Sequence, residues 1–430
     1  MHGTRSASRG SGLLHRSGRL LAALVSLCAP AGAVRLVTPA TAGPDGEPLG
    51  VARQLAFIRA ALDEGAGDEA QGLFPEGYFF LHALYGLAEV ELGMRRPAGQ
   101  RADELRSARW ALGRLDSPSG RAPFSADLVP SYGVFHRGWT NWLRGGVLAL
   151  QPESDRDPAE VRRFAADSAA LAAAFDASRS PYLEAYPGQA WPVDSTVAMA
   201  SLRLHDTLLP PRYAGTADRW LREVRTRLDP RTGLMPHRVD VATGAPAEVA
   251  RGTSQSVIHR FLADIDPDFA REQYLRFRDR YVATPLGLGP AVREYPAGTD
   301  GPADVDSGPL PLGVSLSASV VTAGAAQVHG DTALAEGLTN HGELLGVPVD
   351  TPWTKRYAPS ACSRSATPSW RGRRPHAPGW RTRPPPPRPP GRGGGGCRCS
   401  RCRRWPRSSP GSRRRCAASA GGAKRRHATR

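Results

Sequence analysis

Between residues 50 and 350 apolar side chains recur, segment after segment, at the spacing of an α-helix and almost nowhere at the two-residue spacing of a strand. The segments are 51–58, 77–92, 102–115, 134–150, 158–175, 195–209, 215–228, 254–264, 267–282 and 313–345, the last with a break near Gly330, and they predict ten or eleven helices. Clusters of Pro and Gly separate them, as in Phe74-Pro75-Glu76-Gly77, Tyr186-Pro187-Gly188 and Asp306-Ser307-Gly308-Pro309. That is turn chemistry between helices. Two kinds of helix alternate. The stretch 218–225 (DRWLREVR) has a charged face and belongs outside, whereas 195–202 (STVAMASL) carries no charge and belongs inside. Such alternation predicts a double ring of helical hairpins, a solenoid closed on itself. The long loops that enter the uncharged helices then converge on one end, where a pocket forms.

Charge narrows the partners. The chain has 430 residues and a formal net charge of +17, but twenty of its 57 basic side chains and none of its 40 acidic ones lie in 357–430. Residues 1–356 therefore carry 37 basic against 40 acidic groups. The folded domain has no surplus of positive charge with which to hold nucleic acid. Region 51–350 has no cysteine, so the fold uses no disulfide. Cys397, Cys399 and Cys402 have metal-ligand spacing but lack a rigid second pair of ligands, and no metal is expected.

At the N-terminus Arg5, Arg9, Arg16 and Arg19 precede the apolar run 20–29, and Ala31-Gly32-Ala33 offers a cleavage pattern. Residues 1–34 read as a signal peptide or, if retained, a membrane anchor, although the run is shorter than the roughly 20 residues of a full crossing. Residues 35–50 are a linker. The expected location is secreted or membrane-anchored, outside the cytoplasm, with membrane association confined to this segment.

Four stretches resemble, in order and spacing, the linalool dehydratase/isomerase family: 78–88 (YFFLHALYGLA), 193–208 (VDSTVAMASL through HDTL), 265–277 (IDPDFAREQYLRF) and 292–301 (VREYPAGTDG). The resemblance covers most of 51–350. It implies an all-α (α/α)6 toroid over 51–356, no metal or cofactor, and acid/base removal and return of water on a small neutral alcohol. Tyr78 falls on a family aromatic that lines the cavity. Trp139 stands where the family's catalytic histidine comes, and Val193 where one of its cysteines comes, so linalool itself is not expected as substrate.

Each candidate has a plain reading and a sharper one. Asp194, before an uncharged helix, is an N-cap worth about 1 kcal/mol or a pocket carboxylate. Asp300, Asp304 and Asp306 share one loop as turn formers or acids, and Ser315 at the twelfth position from Asp304 excludes an EF-hand. His136, beside Arg137 at a helix start, is a surface residue or a base; His237 has a weaker claim. Tyr186, Trp191 and Trp139 near loop-to-helix junctions stack on an apolar or sugar substrate, or pack in the core. Glu294, between Arg293 and Tyr295, is an acid facing the cavity or a salt-bridge partner.

The catalytic candidates are thus Asp194, Asp304, Asp306 and His136; those for binding a small-molecule substrate are Tyr78, Trp139, Tyr186, Trp191 and Glu294. A hydrolase or binding protein for glycans, sharing only the ring architecture, is the alternative; carboxyls roughly 6.5–9.5 Å apart in an open groove would favour it.

Arg, Pro and Gly dominate residues 357–430, a composition that cannot bury a core and predicts a disordered basic tail. It begins where the ring still lacks its last helix. Permissible codons for 358–370 read in a shifted frame as Ala-Phe-Gly-Val-Leu-Pro-Val-Gly-Asp-Ala-Phe-Leu, a plausible inner-helix start. A frameshift near Tyr357 is therefore expected, leaving the barrel with an open seam and little activity. Resequencing the locus checks this: codons incompatible with the second frame would return 357–430 to the reading of a polycation that binds nucleic acid or anionic lipid.

Overall fold

The computed structural model describes residues 50–346 and 348–357; the expected leader, all but the end of the linker, and the tail from 358 lie outside them. The described chain is helical. Its helices are α1 (Val51–Asp63), α2 (Ala66–Leu73), α3 (Gly77–Arg95), α4 (Ala102–Leu115), α5 (Pro118–Arg121), α6 (Gly133–Ala149), α7 (Pro158–Ala177), α8 (Pro192–Leu208), α9 (Ala214–Arg225), α10 (Gly252–Ile265), α11 (Pro267–Tyr281), α12 (Leu316–Val328) and α13 (Thr332–Gly346). Short strands β1 (Val282–Ala283), β2 (Ala291–Arg293) and β3 (Val314–Ser315) form one antiparallel sheet, and β4 (Pro348–Asp350) pairs with β5 (Lys355–Tyr357). Tyr357, expected to open the tail, closes β5 instead. Among the described residues no helix is long and apolar enough to cross a membrane.

Local chemistry starts the helices. Asp157 accepts the Ala159 amide at 2.7 Å with Pro158 in the first helical position of α7, and Asp266 accepts the Phe269 amide at 2.8 Å ahead of Pro267 in α11. A capped start with proline at its first position satisfies orphan amides and presets φ. Ser315 does the same for α12, accepting the Ala318 amide at 3.2 Å.

Helices α3, α6, α8, α10 and α12 pack side by side in that order, and each is followed by a helix that lies against it: α4, α7, α9, α11 and α13. The first set is buried on nearly every face, as the uncharged stretch 195–202 of α8 requires. The second is amphipathic: α9 buries Ala217, Trp220, Leu221 and Val224 and exposes its Asp and Arg side chains. Gly138 permits the close approach of α6 to α8, since a Cβ there would sit 2.9 Å from the Ala198 methyl. One core cluster joins α1 to α11, including Phe79, Leu143, Phe164, Met199 and Phe261; a second, around Tyr274, Phe277, Tyr281 and Val292, joins α11, α12 and α13 to β2. Strand β5 lies against α1, and Lys355 and Tyr357 both reach Glu343 of α13, at 3.0 and 2.9 Å.

Candidate active site

The loops that enter α3, α6, α8, α10 and α12 touch one another in sequence. Tyr186, ahead of α8, donates its hydroxyl to the Glu76 carboxylate at the start of α3. The Val134 amide of α6 donates to the Glu184 carbonyl at 2.9 Å. At α10 the Gly252 amide donates to the Glu294 carbonyl at 2.8 Å, and Ser317 of α12 donates to the Asp306 carbonyl. The Val239 amide, in the loop ahead of α10, donates to the Ala190 carbonyl ahead of α8 at 3.2 Å and joins the two groups, so the loops at five helix N-termini are linked, and the carboxyls of Glu76, Asp194, Glu294 and Asp306 lie at these termini or in these loops.

Asp194 is the third residue of α8, after Pro192 and Val193, and is buried. Its carboxyl is pushed well above the usual range by burial, then by the charges of Asp306 and Glu76. Asp306 is pushed up to about 6 by burial and by Asp304 and Glu76, while Arg251 pulls it down. Burial opposes the ionisation of Asp304, yet the backbone amide of Ser307 and the Arg251 guanidinium hold it below the usual range. Arg251 is the hub. Its Nε donates to Glu294 at 2.8 Å, its Nη1 lies 2.6 Å from Asp304, and its buried Nη2 has no partner.

One helical turn deeper, about 5.4 Å along the axes, lies an apolar cavity of about 40 Å³ lined by Phe80, Leu84, Trp139, Val257, Phe261 and Val321, with Arg260 at its edge. Phe80 is four residues past Glu76, and Val321 four past Ser317. Trp139 meets Phe80 and Phe261 edge-on at 5.4 Å each, and its indole N–H has no acceptor.

The structure thus brings Asp194, Asp304, Asp306 and Tyr186 into one electrostatic cluster, with Trp191 perpendicular to Tyr186 at 5.7 Å and Trp139 on the cavity wall. Other candidates lie elsewhere. Asp194 is not an N-cap: Trp191 occupies that place without a side-chain cap bond, because Pro192 starts the helix three residues earlier than periodicity suggested. Tyr78 packs on His82 at 4.3 Å and meets the position of Gly67, away from the cavity lining. His136 is not at the surface. It is buried among Phe79, Phe124 and Tyr132, with Nε2 at 3.2 Å from the Leu115 carbonyl, and burial holds it down to about 4. A histidine held neutral there, away from the carboxylates that perturb one another, is a core residue. Glu294 has no exposed surface and is engaged by Arg251 and by Thr253 at 2.8 Å, the salt-bridged alternative. Asp300 pairs with Arg293 at 3.0 Å on the surface. His237 meets Ser254 at 2.5 Å and is held down to about 4 by burial and Arg251.

Glu76 and Arg251 belong to the cluster although neither stands out in the sequence. Glu76 reads as punctuation in a Pro-Glu-Gly turn. Arg251 had one signal: a cation at the N-terminus of a helix opposes the helix dipole, and so demands acidic partners.

No group of three His, Cys, Asp or Glu side chains arranged to hold a metal ion occurs among the described residues. The sequence matches no protein-family model, and none of the curated proteins matches it.

Proposed function

We propose that the chain is a linalool dehydratase/isomerase-like protein of (α/α)6 design, exported, and that its carboxyl cluster dehydrates or isomerises a small neutral alcohol other than linalool. For the architecture, the eleven longer helices divide into six amphipathic ones (α1, α4, α7, α9, α11, α13) and five buried ones, one short of six pairs. The contact of β5 with α1 and α13 supports closure of the outer ring.

The observation that carries the chemistry is a buried carboxyl, Asp194, whose proton affinity is raised by that burial and by the charge of the more exposed Asp306, beside an apolar cavity. Two acids whose environments separate their proton affinities can serve as acid and base. Asp194, lacking a cation among its perturbing neighbours, is the acid. Asp306, pulled down by Arg251, is the base. In dehydration the Asp194 proton goes to the leaving hydroxyl as the C–O bond breaks. A C–H proton on the neighbouring carbon goes to the Asp306 carboxylate, its electron pair forms the C=C bond, and water departs. Return of water to a different carbon isomerises the alcohol. The glycan alternative is disfavoured by a wall whose polar groups are one indole N–H and the Arg260 guanidinium, the latter already engaged by Glu91 and Asp264.

The test incubates the purified full chain with branched tertiary and allylic alcohols in deuterated water and follows alkene and deuterium exchange by mass spectrometry. Exchange is expected with some member, absent with linalool, and lost in Asp306→Asn. No exchange from any alcohol, or equal exchange in Asp306→Asn, overturns the reading.

A further inference from the structure

The wall of the apolar cavity is made by side chains of α3, α6, α10 and α12, and its two polar groups are both donors. The Trp139 indole is 3% exposed, its ring lies edge-on to Phe80 and Phe261 of the same wall, and its N–H has no acceptor. The Arg260 guanidinium at the edge is engaged by Glu91 at 3.0 Å and by Asp264 at 3.1 Å. No lining side chain carries an acceptor, and the carbonyls of these helix interiors are taken by backbone bonds. A buried N–H left without a partner costs on the order of 1–3 kcal/mol, so a molecule that supplies the acceptor recovers that cost.

We propose that this cavity binds the carbonyl or ether oxygen of an otherwise apolar molecule, with the Trp139 N–H donating to it. Water suits the place poorly, because it needs two to four polar partners and a wall of donors leaves both of its O–H groups unpaired. An alcohol oxygen leaves one O–H unpaired in the same way. A ketone or ether oxygen only accepts, and the rest of such a molecule meets aromatic rings and branched aliphatic groups. At about 40 Å³ the cavity has room for about three water-sized spheres and falls well short of the roughly 150 Å³ that admits benzene, so it takes a molecule of about four heavy atoms or the end of a longer one. The carboxyl layer lies one helical turn above. A substrate that spans both layers presents its hydroxyl to Asp194 and Asp306 and its second oxygen to Trp139, which narrows the neutral alcohol to one that also carries a ketone or ether oxygen. That extension to the substrate rests on the function proposed above, whereas binding in the cavity does not. Binding needs no turnover, so a failed titration leaves the acid and base standing, and a lack of exchange from every alcohol leaves the cavity site standing.

The test titrates the full chain with three probes of nearly equal size, acetone, 2-propanol and isobutene, and follows nitrogen-labelled indole groups and carbon-labelled valine and leucine methyl groups by magnetic resonance. Of the nine tryptophan signals, that of Trp139 is the one lost in Trp139→Phe. Acetone is expected to move it downfield along a saturable curve and to bind about tenfold more tightly than 2-propanol, whose O–H goes unpaired. Trp139→Phe keeps an aromatic wall and removes the donor, so acetone affinity read from the methyl signals is expected to fall about tenfold while isobutene affinity holds. In Val321→Leu, which keeps the indole and adds a methylene to the wall, the acetone shift at Trp139 is expected to be lost. Acetone that binds no more tightly than 2-propanol, a Trp139 signal that acetone does not move, or acetone affinity unchanged in Trp139→Phe overturns the proposal. Should Trp139→Phe fail to fold, Val321→Leu decides, since an acetone shift that persists there means that the probe binds outside the cavity.

Discussion

Asp194→Asn is expected to raise the melting temperature at pH 8 by several degrees while lowering turnover by about 10²–10⁴-fold. Both effects come from one carboxyl. Burial, then Asp306 and Glu76, raise its folded pKa well above the unfolded value of 3.8. Between those two values the unfolded chain has lost the proton and the folded chain has kept it. Folded protein then binds more protons than unfolded, and stability falls as pH rises through that window. Asparagine has no proton to lose. The difference in melting temperature between variant and parent should therefore be large at pH 8 and vanish toward pH 4, where both states of the parent hold the proton. Melting followed at pH 4, 6 and 8 checks it. A difference that stays flat with pH would mean that the Asp194 carboxyl is solvated and uncoupled, and would remove it from the role of acid. Asp306→Asn takes away the second-largest cause of the shift, so the stabilising effects of the two variants should not add, as interacting charges require.

The helices were legible because an uncharged 3.6-residue period needs a helix buried on most sides, as in residues 195–202 of α8 and in α12. Segments too short to show a period escaped: α2, α5 and strands of two or three residues. The three-residue error at the start of α8 had a consequence, since it made Asp194 look like a cap when Pro192 already fixed the first turn. Loop aspartates could be named, but composition could not separate Asp300, paired with Arg293, from Asp306, whose charge raises the Asp194 carboxyl. That difference depends on which loops meet, and the meeting is set by the packing of helices far apart in sequence. His136 shows the same limit from the other side: a polar residue beside Arg137 reads as surface until the aromatic rings of α3 and of the 122–132 loop close over it.

Arg251→Gln is expected to cost on the order of 3–5 kcal/mol, the effect of stranding a buried carboxylate by removing its partner, which for a domain of this size lowers the melting temperature by roughly 10 °C. The stranded group is Glu294, with no exposed surface and only the Thr253 amide at 3.1 Å and hydroxyl at 2.8 Å left to hold it. Burial already raises its carboxyl, and Arg251 is among the groups that restrain it. Without the guanidinium the folded pKa climbs further above the unfolded one. The loss should therefore grow as pH rises above the unfolded glutamate value and fade toward pH 4. Adding Glu294→Gln removes the stranded charge, and the double variant should recover most of the lost stability at pH 8 even though it restores neither of the ion pairs that Arg251 made. Asp306 supplies an independent readout. It stands at about 6 with Arg251 pulling it down, so its proton affinity rises in Arg251→Gln and the onset of exchange should move to higher pH in both single and double variants. Thermal melts at pH 5 and 8, with the pH profile of deuterium exchange, separate the two consequences. A single variant that melts like the parent at both pH values, or a double variant no more stable than the single one, would mean that Glu294 is not held by Arg251, and the hub assigned to the site would fall.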